Sequence, residues 1–431
     1  MIASAIPRHA GLDFGTTNSV AALADSAGGA RLVALDGAEV FRSALCFWRE
    51  EGVPGGLAVE AGGAAIREYL EFPSDSRFLQ SFKSVAASAS FDRALIFARA
   101  FRFEELGRLF LDKLAGHAGA ALDGLERTVV GRPVHYAGSR PDPALARTRY
   151  DAMFAGFAGE VHHVYEPLAA AFSHARELDR PATLLVADFG GGTSDFSVVR
   201  VLEPDAPQRC VPLGHAGVGL AGDRFDQRIV EQVVLPLLGK GGLYRSFDKE
   251  LEIPATWFAD FSDWSRLALM RNRRTLDELA RLQRVAVDPA AIGRMIALIE
   301  HELGFPLYDA VTQVKRELSV AEAAPFRFSG AGVEIAAEVT RGAFEEWIAP
   351  DIARMADAVD RALADAKVGA DAVDRVFLTG GTSLVPAVRR IFIDRFGPAR
   401  IASGGELTSI AHGLALIAAQ DDPGAWAVRE G

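Results

Sequence analysis

Two short stretches carry the residue types of phosphate chemistry. Residues 188–195 read DFGGGTSD, and residues 13–17 read DFGTT. In each, an aspartate stands just before a glycine turn that bears hydroxyls. Consecutive glycines weaken a strand but leave the backbone bare where something must approach it closely. The apolar run TLLVA (183–187) precedes the longer stretch, and Phe196, Val198 and Val199 resume a strand-like pattern after it. This predicts a β-hairpin with its tip at Gly190–Thr193. A plain turn needs one or two glycines, and a third leaves the tip's N–H groups free to point at an anion. Asp13 and Asp188, immediately before the two tips, could hold a hydrated Mg²⁺ between them. The competing reading, in which each aspartate merely caps a turn, must account for the same placement twice.

Two further positions join this chemistry. Glu166, in YEPLAAAF (165–172), stands before Pro167 at a predicted helix start. A carboxylate there can serve as a partner for the helix dipole alone; beside a phosphate cleft it can also orient an attacking water. Residues 374–389, DRVFLTGGTSLVPAVR, form a third glycine turn, Gly380-Gly381, between a strand and a helix opened near Pro386. It reads as an ordinary strand–helix connection or as part of a nucleoside site. The Walker pattern is absent, since Gly239-Lys240 is followed by glycine and lacks the upstream spacing. Phosphate binding would therefore fall to the hairpins.

Such residues need a frame, and the chain alternates apolar-rich and polar-patterned segments, as an α/β protein does. Periodicity predicts helices over 104–121, 143–157, 167–178, 222–237, 275–287, 292–320, 343–367 and 386–396. Strands are predicted over 11–14, 18–24, 31–36, 127–131, 183–188, 194–202, 211–216 and 373–379. The repeated hairpin predicts a duplicated architecture, with two lobes that each offer one hairpin to a shared central cleft. A break in character at 178–182 (Leu-Asp-Arg-Pro-Ala) sets the boundary. Lobe I then runs over 10–182, with a return helix over 405–421, and lobe II over 183–404, with a helical insert over 250–300. The insert carries Trp257, Trp264, Arg271, Arg273 and Arg274. Its arginines read as a solvated helix face or, more sharply, as a partner or nucleotide-gating surface.

Composition narrows the class. At 431 residues the chain is too long for one ordinary core. Its 49% apolar and 24% charged residues are those of a globular protein. A formal charge of −11 argues against nucleic acid or anionic lipid as a general partner. Cys46 and Cys210 form no framework and no metal-ligand spacing, which fits a reducing cytosol. MIASAIPRHA lacks a signal peptide's apolar region, and no stretch is long enough to span a bilayer. A soluble, cytoplasmic protein is expected.

In order along the chain, GLDFGTTNSV, VVGRPV (129–134), YEPLAAAF, DFGGGTSDFSVV, GLAGDRFDQRIV (219–230), VKRELS (314–319) and VFLTGGTSLVP resemble the ATPase domain of the heat-shock protein 70 (DnaK-type) chaperones, in the actin-like ATPase superfamily. The resemblance implies an actin-like ATPase fold with ATP or ADP and Mg²⁺ as ligands. Gly15, Thr16, Thr17, Gly190, Gly191, Gly192 and Thr193 would cradle phosphates. Asp13 and Asp188 would hold Mg²⁺ through water. Glu166 would position the hydrolytic water, and the family's catalytic lysine would fall on Lys83, in RFLQSFKSVA. Read from the residues alone, Lys83 is as much a surface lysine on a loop. Lys83, Glu166, Asp188 and Thr193 form the implied catalytic set. Gly222, Lys315, Arg316, Ser319, Gly380, Gly381 and Thr382 would contact nucleotide. The chain departs from the family pattern at Thr312, where a ribose-contacting glutamate is usual, and at Leu384, which replaces an arginine that stacks on adenine. No interdomain linker or peptide-binding domain is expected, as in a truncated YegD-like branch. The implied function is a slowly hydrolysing nucleotide switch with no peptide client groove. An actin-like filament ATPase and a small-molecule kinase of the same fold are the alternatives.

Overall fold

The first hairpin forms from β1 (His9–Phe14) and β2 (Asn18–Ala24), with Asp13 opposite Val20 and Phe14 opposite Ser19. Its turn is tight: a Cβ on Gly15 would lie 2.1 Å from the Asn18 carbonyl oxygen, so glycine is required there. The computed structural model describes residues 8–25, 28–73, 75–137, 140–157, 159–204, 206, 209–262, 270–402 and 407–426. Trp264, part of the 250–300 stretch and the start of 405–421 lie outside these.

Around this hairpin runs a sheet that also contains β3 (Ala30–Leu32), β4 (Arg127–Arg132) and β5 (Glu160–Tyr165), in the order β5-β4-β1-β2-β3. The strands β5, β4 and β1 are parallel; β2 and β3 follow antiparallel. A second sheet contains β6 (Ala182–Phe189), β7 (Ser194–Val201), β8 (Cys210–Val218), β9 (Arg375–Thr379) and β10 (Ile401–Ala402), in the order β10-β9-β6-β7-β8. Here too three strands are parallel and two follow antiparallel. The hairpins β1–β2 and β6–β7 occupy equivalent places in two sheets of one topology.

Three helices matter for the site: α1 (Pro143–Phe154), α2 (Glu166–Ala175) and α3 (Ser409–Ala418). Asp142 caps α1 by accepting from the Leu145 N–H, and Pro143 suits the first turn. Apolar on almost every side, α2 and α3 are buried, the pattern expected of core helices. Their residues share one apolar cluster with Val129 and Val164 of the first sheet and Leu184, Val186 and Val199 of the second. They meet closely at small residues: a Cβ on Gly413 would lie 1.7 Å from the Ala169 carbonyl oxygen. Gly11 likewise faces the Ala415 backbone, its notional Cβ 2.2 Å from that nitrogen. A separate aromatic core, with Phe14, Phe82, Phe103, Phe110 and Tyr150, lies under the other face of the first sheet.

The sheets and α1–α3 belong to one compact unit, Met1–Glu71, Ser76–Gly222 and Ile352–Gly431; the other unit is Phe72–Asp75 and Asp223–Asp351. In the second unit the helix predicted over 292–320 is two helices, Pro289–Glu300 and Gly304–Leu318. Glu302 sits at φ 52, Leu303 N donates to Leu298 O, and Glu302 N donates to Ile299 O. That is a helix-ending motif usually signalled by glycine, here built on glutamate. The stretch 250–300 is also not wholly helical, because Leu243–Ser246 and Lys249–Glu252 pair as a hairpin. The strand predicted over 31–36 is confined to Ala30–Leu32.

Candidate functional site

The tip of the second hairpin closes with Gly190 N donating to Thr193 O at 2.9 Å, so Gly190–Thr193 is the turn. Neither Gly190 nor Gly192 lies in the left-handed region, and neither is crowded. A Cβ on Gly192 would meet Ala137 Cβ at 3.8 Å and Thr16 Oγ1 at 4.0 Å; one on Gly190 would meet Thr193 O at 3.5 Å. Ordinary contacts would accommodate side chains at both. The bare backbone is thus not demanded from within, which suits a ligand that must come close from outside. The 4.0 Å approach to Thr16 also brings the two hairpin tips side by side.

Behind the tips, register sets the charged groups. Asp188 pairs across the ladder with Asp195 on β7 and with Thr379 on β9, whose hydroxyl donates to Asp188 Oδ1 at 3.2 Å. The third glycine turn follows directly. Gly380 has φ 81, and a Cβ there would lie 2.0 Å from Phe189 O, so it must be glycine; Gly381–Leu384 is a single 3₁₀ turn. Thr382 Oγ1 donates to Gly190 O at 3.4 Å, which joins that turn to the phosphate-type tip.

Lys83 is not a surface residue. It sits on the 3₁₀ turn Phe82–Val85, 8% exposed, and its Nζ donates to Glu166 Oε1 at 2.7 Å. Phe82, buried against Phe14 and Phe110, anchors that turn in the aromatic core. The ammonium lies 5.8 Å from the Phe14 ring centroid. Glu166 opens α2, 5% exposed, where the helix N-terminus favours its charge.

These groups share one field. Burial, then repulsion from Glu166, drives the Asp188 carboxyl up to about 7 against the opposing pull of Lys83 and the Thr379 hydrogen bond. Burial, Glu166 and Asp188 raise Asp13 well above the carboxylate range, again opposed by Lys83. Burial works against the Lys83 ammonium, but Glu166 and Asp13 outweigh it and hold the proton more firmly than usual. The surplus of carboxylates calls for a cation. Among the described residues no three His, Cys, Asp or Glu side chains converge as a direct metal cage. The donor set therefore fits a cation held by Asp13 and Asp188 through its own water shell.

Sequence reasoning gave no role to Asp195, Thr379, Arg132 or Tyr150. Asp195 is 1% exposed; its Oδ1 accepts from His135 N at 2.9 Å, its Oδ2 is unpartnered, and burial and two neighbouring carboxylates raise its pKa well above normal. Its place in DFGGGTSD, mirroring Asp188 across the turn, was the available signal. Arg132, 6% exposed, stacks over Tyr136 and Tyr165 next to Glu166. Tyr150 is buried in the aromatic core, its hydroxyl without a partner.

Gly15–Thr17, Lys83, Glu166, Asp188, Gly190–Thr193 and Gly380–Thr382 are thus brought together within the first unit, whose middle segment ends at Gly222, the first residue of the helix Gly222–Ile229. Lys315, Arg316 and Ser319 lie at the end of the helix Gly304–Leu318 in the second unit. There Lys315 Nζ donates to Asp226 Oδ2 at 2.7 Å, Thr312 Oγ1 donates to the same oxygen at 3.4 Å, and Arg316 is exposed. Arg273 and Arg274 pair with Asp277 and Glu278 on an exposed helix face, and Arg271 with Glu302.

Comparison with known proteins gives the same direction. Residues 303–424 match the family model described as Hsp70 protein. "Chaperone protein DnaK" of Thermotoga petrophila is 25% identical over 415 residues, and that of Deinococcus radiodurans 26% over 424. Each alignment covers 95% of this chain and 59% of the relative. The chain spans about three fifths of the length of these relatives. A duplicated mixed α/β frame, two glycine-tipped hairpins and this likeness along nearly the whole sequence agree: the chain is similar to Hsp70-family proteins, and its mixed α/β fold is consistent with the actin-like ATPase fold.

Proposed function

We infer that this protein binds ATP with Mg²⁺ and hydrolyses it slowly, as a nucleotide switch of the Hsp70 type. The observation that carries the reading is the buried Lys83–Glu166 pair, at 2.7 Å, set among Asp13, Asp188 and the uncrowded glycines of the Gly190–Thr193 tip. In this reading the amides and hydroxyls of Gly15–Thr17 and Gly190–Thr193 bind the phosphates, and Gly222, Gly380, Gly381, Thr382, Lys315, Arg316 and Ser319 contact the nucleotide. Mg²⁺, held by Asp13 and Asp188 through water, would neutralise phosphate charge. Glu166 accepts a hydrogen bond from the attacking water. Lys83 holds Glu166 in place and sets its ammonium against charge developing on the terminal phosphoryl group, so catalysis is positioning plus electrostatics. The lobes are proposed as 10–182 with 405–421, and 183–404. A cytoplasmic location and a protein partner at 250–300 belong to the same proposal.

Calorimetric titration with Mg·ATP and Mg·ADP, paired with a turnover assay, tests it. Both nucleotides should bind, with turnover well below the ~10 s⁻¹ typical of enzymes. A folded protein that binds neither would sink the reading.

A further inference from the structure

Lys83 rides on a turn with little rigidity of its own. Phe82–Val85 is one 3₁₀ turn, entered through Ser81 at φ 57, and no regular element follows until the strand Ala94–Ile96. What holds its far side is a side chain from α1. Arg149 Nη1 donates to Val85 O at 3.0 Å, Ala86 O at 3.0 Å and Ser88 O at 3.1 Å, and Nη2 donates to Phe91 O at 2.5 Å. The guanidinium carbon also lies 5.8 Å from the Phe91 ring centroid. From the start of the same helix, Asp142 N donates to Ala87 O at 2.8 Å. Five carbonyls of the segment that follows Lys83 thus end on α1.

We propose that Arg149 is a positioning residue for Lys83. Backbone carbonyls removed from water need partners, and a planar guanidinium supplies several donors in fixed directions, which an ammonium cannot copy. Ala86 N in turn donates to Lys83 O at 3.1 Å, so a fork that fixes residues 85 and 86 fixes the Lys83 peptide. From there the side chain reaches Glu166. A misplacement of about 1 Å in such a group can cost about 100-fold in rate. The catalytic consequence rests on the ATPase reading; the positioning itself does not.

The test therefore has two readouts. Acylation of Lys83 by acetic anhydride, followed by peptide mass spectrometry, reports whether Nζ remains buried on Glu166. Single-turnover hydrolysis with ATP titration reports its use. Arg149→Ala should raise Lys83 labelling about tenfold by letting the turn open locally, and slow single turnover by about 10- to 100-fold. ATP affinity should change little. Millimolar methylguanidinium should restore both readouts towards wild type. Arg149→Lys keeps the charge and stem without the fork, should remain impaired, and carries the same measurements if the alanine variant does not fold. Wild-type Lys83 labelling in a folded Arg149 variant overturns the proposal. A wild-type protein without ATPase activity sinks the functional reading alone, and labelling then decides the positioning.

Discussion

At the residue scale, the proposed function makes the Lys83–Glu166 pair worth more in the transition state than in binding, because its charge would then lie where negative charge develops. Lys83→Ala should lower single-turnover hydrolysis by about 100-fold or more, the scale of losing one preorganised electrostatic group. ATP affinity should fall far less. Equal losses in rate and affinity would make Lys83 a ground-state phosphate ligand instead. Asp188 carries a different prediction. Its folded-state pKa of about 7 stands above the ordinary 3.8. Between those values the folded protein keeps a proton that the unfolded chain has released, so stability falls as pH rises through that window. Asp13 and Asp195 act in the same direction. Thermal melts of the Mg²⁺-free protein should show a falling melting temperature from pH 5 to about 8. Asp188→Asn should flatten that slope and raise stability at the alkaline end while abolishing Mg²⁺-dependent hydrolysis. An Asn variant with the wild-type slope would put Asp188 outside this field.

At the element scale, the glycines divide by what surrounds them. Gly192 has room for a methyl group, so Gly192→Ala should melt within about 1 kcal/mol of wild type, the backbone-entropy scale of Gly-to-Ala changes. ATP binding should nevertheless be lost, since in the proposed reading the added carbon takes space that phosphate oxygens would occupy. Calorimetry on a folded variant checks it, and wild-type affinity would remove Gly190–Thr193 from the phosphate site. Gly413 is the opposite case. Its missing Cβ lets α3 lie against the Ala169 backbone of α2, the helix that presents Glu166. Gly413→Ala should cost about 1–3 kcal/mol or more through overpacking. Any remaining folded protein should hydrolyse ATP more slowly as Glu166 shifts. A chemical-denaturation curve unchanged from wild type would mean the helices separate without cost.

At the scale of the whole molecule, nucleotide should stabilise the fold by linkage. At a ligand concentration about 100 times its dissociation constant, Mg·ADP should add about 2.7 kcal/mol. The melting temperature should therefore rise with nucleotide concentration, and omission of Mg²⁺ should blunt the rise. Sedimentation with Mg·ATP distinguishes the switch from a filament-forming ATPase: the switch stays in the supernatant. A marked gain in turnover on adding a sugar would instead favour a kinase of the same fold, since fold does not choose among these chemistries.

The glycine-tipped hairpins, the aspartates before them, Glu166 at its helix start and the α/β alternation were legible in the chain, because each rests on neighbours a few residues apart. Turn geometry, strand alternation and helix ends are local properties of φ, ψ and side-chain type. Some local signals still misled: glutamate at position 302 took the conformation glycine usually marks, and the polar strand Glu160–Tyr165 offered no apolar alternation to read. Which local pieces meet was decided by tertiary structure. Lys83 finds Glu166 across 83 positions, Thr379 finds Asp188 across 191, and Arg149 gathers carbonyls from 58 to 64 positions away. Sheet register, the aromatic core under Phe82 and the close approach of Gly413 to Ala169 make those pairings. Packing at that distance has no sequence period. A lone lysine in RFLQSFKSVA was therefore singled out by resemblance alone until the fold buried it on Glu166.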